Sequence, residues 1–244
     1  MNSSGTMMVK WLVVLAIPFF LGFSTIRLFI NSAELFLQYE YGKESFPADL
    51  TFASEIQRQR LGLTPFTQAE RLALAQVAVD YLQRPEPAEE VIFLLEEQEL
   101  PGRNESLYNP DEISHMIDVK RLTDTIARLN WLAGAIVLVG LGVLLLREET
   151  RTIAYQAIFY GGVATTAVLL GLGLFIVLGW SIFFVQFHEL LFPPGTWTFA
   201  YTDSLIRLFP EKFWFDFGVL VSVTALLSGM VTALVGYGLT RAAR

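Results

Sequence analysis

Two histidines, His115 and His188, are the residues in this chain best suited to chemistry, and there is no cysteine. An imidazole titrates near pH ~6.5, so one ring can accept a proton while a second donates one at ordinary pH, with no side-chain nucleophile required. Other chemistries are poorly served. No GxSxG elbow is present, because Ser181 sits in Gly-Trp-Ser-Ile, which argues against a serine hydrolase. The missing cysteine excludes disulfides, thiol catalysis and thiolate-bound metals. A zinc site would want three or four ligands, and His115, His188, Asp118 and Glu189 are the available set. Neither HExxH nor a related spacing occurs, so no metal and no other cofactor is expected. Asp118 lies one helical turn from His115, where a carboxylate could fix the ring's tautomer or could form an ordinary surface pair. Glu189 adjoins His188 but points in a different direction on a helix, so it is the weaker partner. A lone histidine near a membrane surface is more often a hydrogen-bonder than a catalyst. Catalysis by this pair therefore requires that the two rings meet.

The elements that would bring them together are membrane spans. Of 244 residues 53% are hydrophobic, which points to several spans rather than one large soluble core. The expected class is an all-α or mostly α integral membrane protein with four transmembrane helices and a small extracytoplasmic cap. Residues 1–30 form a cytoplasmic N-terminus and a first span, Trp11 to Ile30, long enough to cross ~30 Å of hydrocarbon. The run is longer than a signal-peptide core, and Arg27 interrupts the place for a cleavage site, so a retained helix is expected, kinked at Pro18. Residues 31–109 are an acidic cap, and from Asn31 to Ile126 there are 18 acidic against 8 basic residues. Thr67-Gln-Ala-Glu70 has the form of a capping box, and Leu72, Ala75, Val79 and Leu82 recur at helical spacing until Pro85 and Pro87. The apolar cluster Val91 to Leu95 fits a helix or a short strand. Asn109-Pro110 suits a helix start, giving a juxtamembrane helix over 110–128 that carries His115. Residues 129–187 hold the second and third spans, 188–216 an aromatic extracytoplasmic loop, and 217–244 the fourth span and a cytoplasmic C-terminus.

Lys10, Arg147, Arg151, Arg241 and Arg244 fall on one side of four spans, which the positive-inside rule makes the cytoplasm. The cap and the aromatic loop then face outward. The second and third spans form a hairpin turning near Glu149. Continuous helices would carry His115 and His188 ~50 to 60 Å along its two arms, to nearly the same height just above the outer lipid boundary. The net charge of −7 argues against a nucleic-acid partner.

The stretch Phe187 to Trp214 packs aromatics, two Pro-bounded turns and His188 into one short connection. Together with Glu112-Ile-Ser-His115-Met-Ile-Asp118-Val-Lys120, the residues His188, Gly195-Thr-Trp197-Thr-Phe199, Asp203-Ser-Leu205-Ile-Arg207-Leu-Phe209-Pro and Phe213-Trp214 resemble the bacterial lipoprotein intramolecular transacylases, the Lit family. The likeness is specific over about 110 to 122 and 187 to 216, and holds elsewhere in span count and layout. It implies an enzyme of the bacterial cytoplasmic membrane with a diacylated lipoprotein as substrate and membrane lipid as surroundings. The sn-2 acyl chain would move from the glyceryl group to the amine of the N-terminal cysteine, giving a lyso-form lipoprotein, at the outer leaflet. Carried onto this sequence, His115 and His188 are the catalytic pair, with Glu112, Asp118 and Glu189 as orienting groups. Lys120, Trp197, Phe199, Asp203, Arg207, Phe213 and Trp214 become substrate-binding candidates. The aromatics fit a pocket or an interfacial belt equally well, and Arg207, Lys120 or Lys212 could stabilise an oxyanion or contact lipid phosphate. Two further readings remain open from the residues alone. One is another outer-leaflet acyl transferase or lipid hydrolase using the same pair; the other is a non-catalytic assembly or sensor subunit with the acidic cap as its partner surface.

Overall fold

A computed structural model describes residues 3–243. In chain order its helices are α1 (Ser3–Asn31), α2 (Ala33–Tyr41), α3 (Glu55–Leu61), α4 (Gln68–Gln83), α5 (Ala88–Val91), α6 (Phe93–Glu96), α7 (Pro110–Leu145), α8 (Glu148–Leu178), α9 (Trp180–Leu191), α10 (Ser204–Leu208) and α11 (Glu211–Ala242). Among the described residues there is no strand, only an isolated antiparallel bridge between Glu99 and Ser106. Four helices, α1, α7, α8 and α11, are long and apolar enough to cross a membrane. The mostly α class with four candidate spans is thus as the sequence led us to expect.

The chain divides into two compact units. One gathers α1 as far as Leu28, α7 from Thr125, α8 through Trp180, and α11 from Gly218. Its centre is an apolar knot of Val13, Val14, Ile17 and Ala157, joined by Leu21, Val137 and Leu141. Small residues let the backbones close up, since lipid offers no hydrophobic drive between helices and packing must supply it. A Cβ built on Gly162 would lie 2.3 Å from the amide nitrogen of Ala233, and one on Gly236 would lie 2.3 Å from that of Phe159. Those two contacts are backbone on backbone and have no soft side chain to yield. Gly162→Ala or Gly236→Ala should destabilise this unit by about 1–3 kcal/mol. Gly171→Ala, whose Cβ meets nothing within 4 Å, should be neutral or slightly stabilising. Thermal midpoints in detergent separate the two outcomes. The few polar groups are mutually satisfied. Lys10 donates to Gln156 at 2.9 Å, and Asn130 donates to Ser24 and to the carbonyl of Phe20 while accepting from Arg27 at 2.8 Å. Arg27 also lies over the Trp131 ring.

The second unit comprises residues Phe29–Asp124 and Ser181–Phe217. Its hub is α4, which starts at the capping box of Thr67 and Glu70 and packs against α2, α6 and α10. The apolar cluster Val91 to Leu95, left between helix and strand by its sequence, belongs to α5 and α6. A buried ion pair ties distant segments of this unit together. Arg207 on α10 presents Nε and Nη2 to the Asp49 carboxylate, with the shortest contact at 2.7 Å, donates to the carbonyl of Thr64, and lies 3.6 Å over the Phe66 ring. Arg71 on α4 donates to the carbonyls of Pro47 and Arg207.

One expectation fails here. The apolar run from Ile153 to Phe187 is not a single continuous helix. Gly179 leaves helical geometry at φ −132° and ψ 36°, its amide closing the last turn on Phe175. Helix α9 then begins at Trp180, so the second arm of the hairpin cannot be counted at constant rise, and His188 lies on a helix rather than in a loop.

Candidate active site

His115 stands near the start of α7, and the start is fixed by its own residues. The Asn109 side-chain oxygen accepts from the amides of Asp111 and Glu112, while Glu112 returns a bond to the Asn109 amide at 2.8 Å. The other Glu112 oxygen accepts from the amide of Leu205 at 2.5 Å. This carboxylate, only 1% exposed, therefore pins the N-terminus of α7 to that of α10. Burial pushes the Glu112 carboxyl up, against the opposing pull of the Leu205 and Asn109 amides. Asp203 holds the intervening turn by accepting from the Ala200 amide.

His188 on α9 is oriented by its own helix. Its Nδ1 lies 2.7 Å from the carbonyl of Phe184, one turn earlier. A carbonyl only accepts, so Nδ1 carries the hydrogen and Nε2 keeps a free lone pair. The rings of His115 and His188 have centroids 6.3 Å apart and planes 28° from parallel. Phe192 touches both, at 4.9 Å from His115 and 5.5 Å from His188. Phe199 lies 5.4 Å from His115, Trp197 5.0 Å from His188, and Phe184 4.2 Å from His188. Burial lowers the His115 ring to about 4, with the neighbouring His188 adding a smaller push in the same direction. Burial also lowers His188, partly offset by the Phe184 carbonyl, which favours the charged ring. Both shifts favour the uncharged ring. His115 Nδ1 and Trp197 Nε1 are buried without a hydrogen-bond partner.

The remaining candidates fall elsewhere. Asp118 pairs with Arg121 at 3.3 Å and does not bond to His115 Nδ1, because the next turn of α7 offers it a full positive charge. Glu189 is exposed and, with Ser181, Ile182, Val185 and Gln186, lines a shallow hollow on another side of α9. Lys120 is fully buried, donating to the Arg84 carbonyl at 2.7 Å and pairing with Asp124. Arg207 is engaged by Asp49 and Lys212 by Asp216. Phe213 and Trp214 belong to a separate ring cluster with Phe209 and Phe217, which Phe36 completes. Sequence reasoning missed Phe192 and Phe184. Their i±4 spacing around His188 was visible, but only to a reading that extended the helix past Phe187. Among the described residues no group of three or more His, Cys, Asp and Glu is arranged to hold a metal ion.

The sequence model of the family described as lipoprotein intramolecular transacylase Lit matches residues 11–214. The chain belongs to the Lit family. It is 27% identical over 213 residues to an Aquifex aeolicus (strain VF5) protein described as uncharacterized, covering 85% of this chain and 84% of that one. A solved structure of the membrane-integral Lit from Bacillus cereus superimposes with a TM-score of 0.67 at 19% identity, covering 99% of this chain and 97% of that one. A variant of the same Bacillus protein with one histidine replaced by alanine gives 0.63 at 19% identity, over 98% and 94% of the two chains. At these identities the likeness speaks to the fold, which is that of a membrane-integral Lit protein with four apolar helices.

Proposed function

We propose that this Lit-family chain moves the sn-2 acyl chain of a diacylglyceryl lipoprotein to the α-amine of its N-terminal cysteine, using His115 and His188 as a proton-handling pair. One observation supports this reading above the others: the chain's only two histidines, far apart in sequence, have rings 6.3 Å apart in one aromatic cluster. The positive charges of Lys10, Arg147, Arg151 and Arg241 favour cytoplasmic termini and chemistry at the outer leaflet.

The attacking amine must lose a proton and the glyceryl oxygen must gain one. His188 is the base, because the Phe184 carbonyl leaves its Nε2 as the acceptor. With both rings neutral at the outset, a single proton has to serve both steps. His188 takes it as the nitrogen–carbon bond forms. His115, a neutral ring that can accept at one nitrogen and release from the other, passes it to the glyceryl oxygen as that carbon–oxygen bond breaks. His188 ends as it began, whereas His115 ends as its other tautomer, and its hydrogen returns to the first nitrogen before the next turnover. Because donor and acceptor are parts of one molecule, holding amine and ester carbonyl within ~3 to 3.5 Å can supply much of the rate enhancement. Phe192, Phe199 and Trp197 lie against the two histidine rings, an apolar surround that would exclude the water able to hydrolyse the ester.

Purified protein in lipid vesicles, given a diacylated lipopeptide with a free amine, should yield a product of unchanged mass whose acyl chain is amide-linked, read by tandem mass spectrometry. A lipopeptide already acetylated on its amine should remain unconverted. Release of free fatty acid from either peptide would mark a hydrolase instead.

A further inference from the structure

The lysines and arginine that sequence reasoning offered for the oxyanion are otherwise engaged: Lys120 with Asp124, Lys212 with Asp216 and Arg207 with Asp49. A different donor is present within the cluster. Trp197 Nε1 is buried and bonds to nothing in the fold, while its ring lies 5.0 Å from that of the base His188. An indole nitrogen can only donate. Leaving such a donor unsatisfied costs about 1–3 kcal/mol, a penalty the fold retains at this position. It is recovered most fully by an acceptor that carries charge, as the carbonyl oxygen of an ester does once a tetrahedral intermediate forms.

We propose that the Trp197 indole N–H is the hydrogen-bond donor to the carbonyl oxygen of the migrating acyl group, and holds the negative charge of the tetrahedral intermediate. This rests on the transacylase reading above. As the amine nitrogen bonds to the carbonyl carbon, the carbonyl π pair moves onto oxygen and the N–H of Trp197 shortens its bond to that oxyanion. Collapse restores the carbonyl, breaks the bond to the glyceryl oxygen and returns the proton held by the histidines to that oxygen. No further reagent is needed. A donor aimed at charge that develops during reaction acts on the transition state, not on the bound ester.

Trp197→Phe keeps most of the apolar bulk and removes the N–H, and 3-benzothienylalanine placed at 197 by suppression replaces the N–H with sulfur at almost unchanged shape. Both should lower kcat by about 10²–10³-fold with KM changed less than about threefold. A lipopeptide phosphonate that mimics the tetrahedral intermediate should bind the two variants more weakly by a similar factor. Either variant with kcat within about threefold of the wild type overturns the proposal, as does loss confined to Trp197→Phe while the sulfur analogue stays active. Failure of this assignment is distinguishable from failure of the reaction itself, because the unaltered protein would still make the amide-linked product.

Discussion

His188→Ala and His115→Ala should each lower formation of amide-linked lyso-lipoprotein by about 10²–10⁴-fold, the range that positioned acid–base groups supply. The double variant should be little worse than either single one, since one proton passes through both rings and removing either interrupts its path. Mass spectrometry of the N-terminal lipopeptide from vesicles carrying each variant measures this directly. Full activity in either variant would remove that ring from the reaction. The same assignment fixes a pH dependence. Burial holds His188 below its ordinary value near pH ~6.5, so the base is neutral at and above that pH. At saturating lipopeptide, the part of the acid-side decline in kcat that protonation of His188 causes should therefore lie below pH about 6.5. His115, lowered to about 4, stays neutral across that decline and does not set it.

Arg207→Ala or Asp49→Ala should destabilise the unit that holds the histidines by about 3–5 kcal/mol, because each leaves its partner's charge buried and alone. The side chains are 2% and 1% exposed, so little water can compensate. Arg207→Lys should recover little, since a point charge cannot reproduce two donors to one carboxylate and a planar face on Phe66. Replacing both partners together by Met and Leu should restore part of the loss. Limited proteolysis across residues 44–66 and thermal unfolding in detergent report on this. A role in binding lipid phosphate would give the opposite pattern, with normal unfolding and lost activity, and would displace the structural account.

Much of this was legible in the sequence where the physics is local. Uncharged runs of about twenty residues announce α1, α7, α8 and α11, and Thr67 with Glu70 announces the start of α4 through side chains three positions apart. Asn109-Pro110 did the same for α7. The break at Gly179 was hidden because it lies inside an uninterrupted apolar run with neither charge nor proline to mark it. Long-range pairing was hidden for a different reason. Arg207 and Asp49 are separated by most of the chain, so an arginine in an aromatic stretch looked available for substrate when it is spent on the fold. Asp118 shows the limit of spacing arguments: three residues from both His115 and Arg121, it could serve either, and the full charge prevails.

The bond from His188 Nδ1 to the carbonyl of Phe184 has a consequence for genetics. In many acid–base sites the orienting group is a carboxylate side chain, which a mutational scan finds and which leaves a second invariant letter in a family of sequences. Here the orienting atom belongs to the main chain, and every amino acid has one. Substituting Phe184 changes a wall of the cluster and leaves the tautomer untouched. A search for the residue that orients His188 would return only the histidine itself.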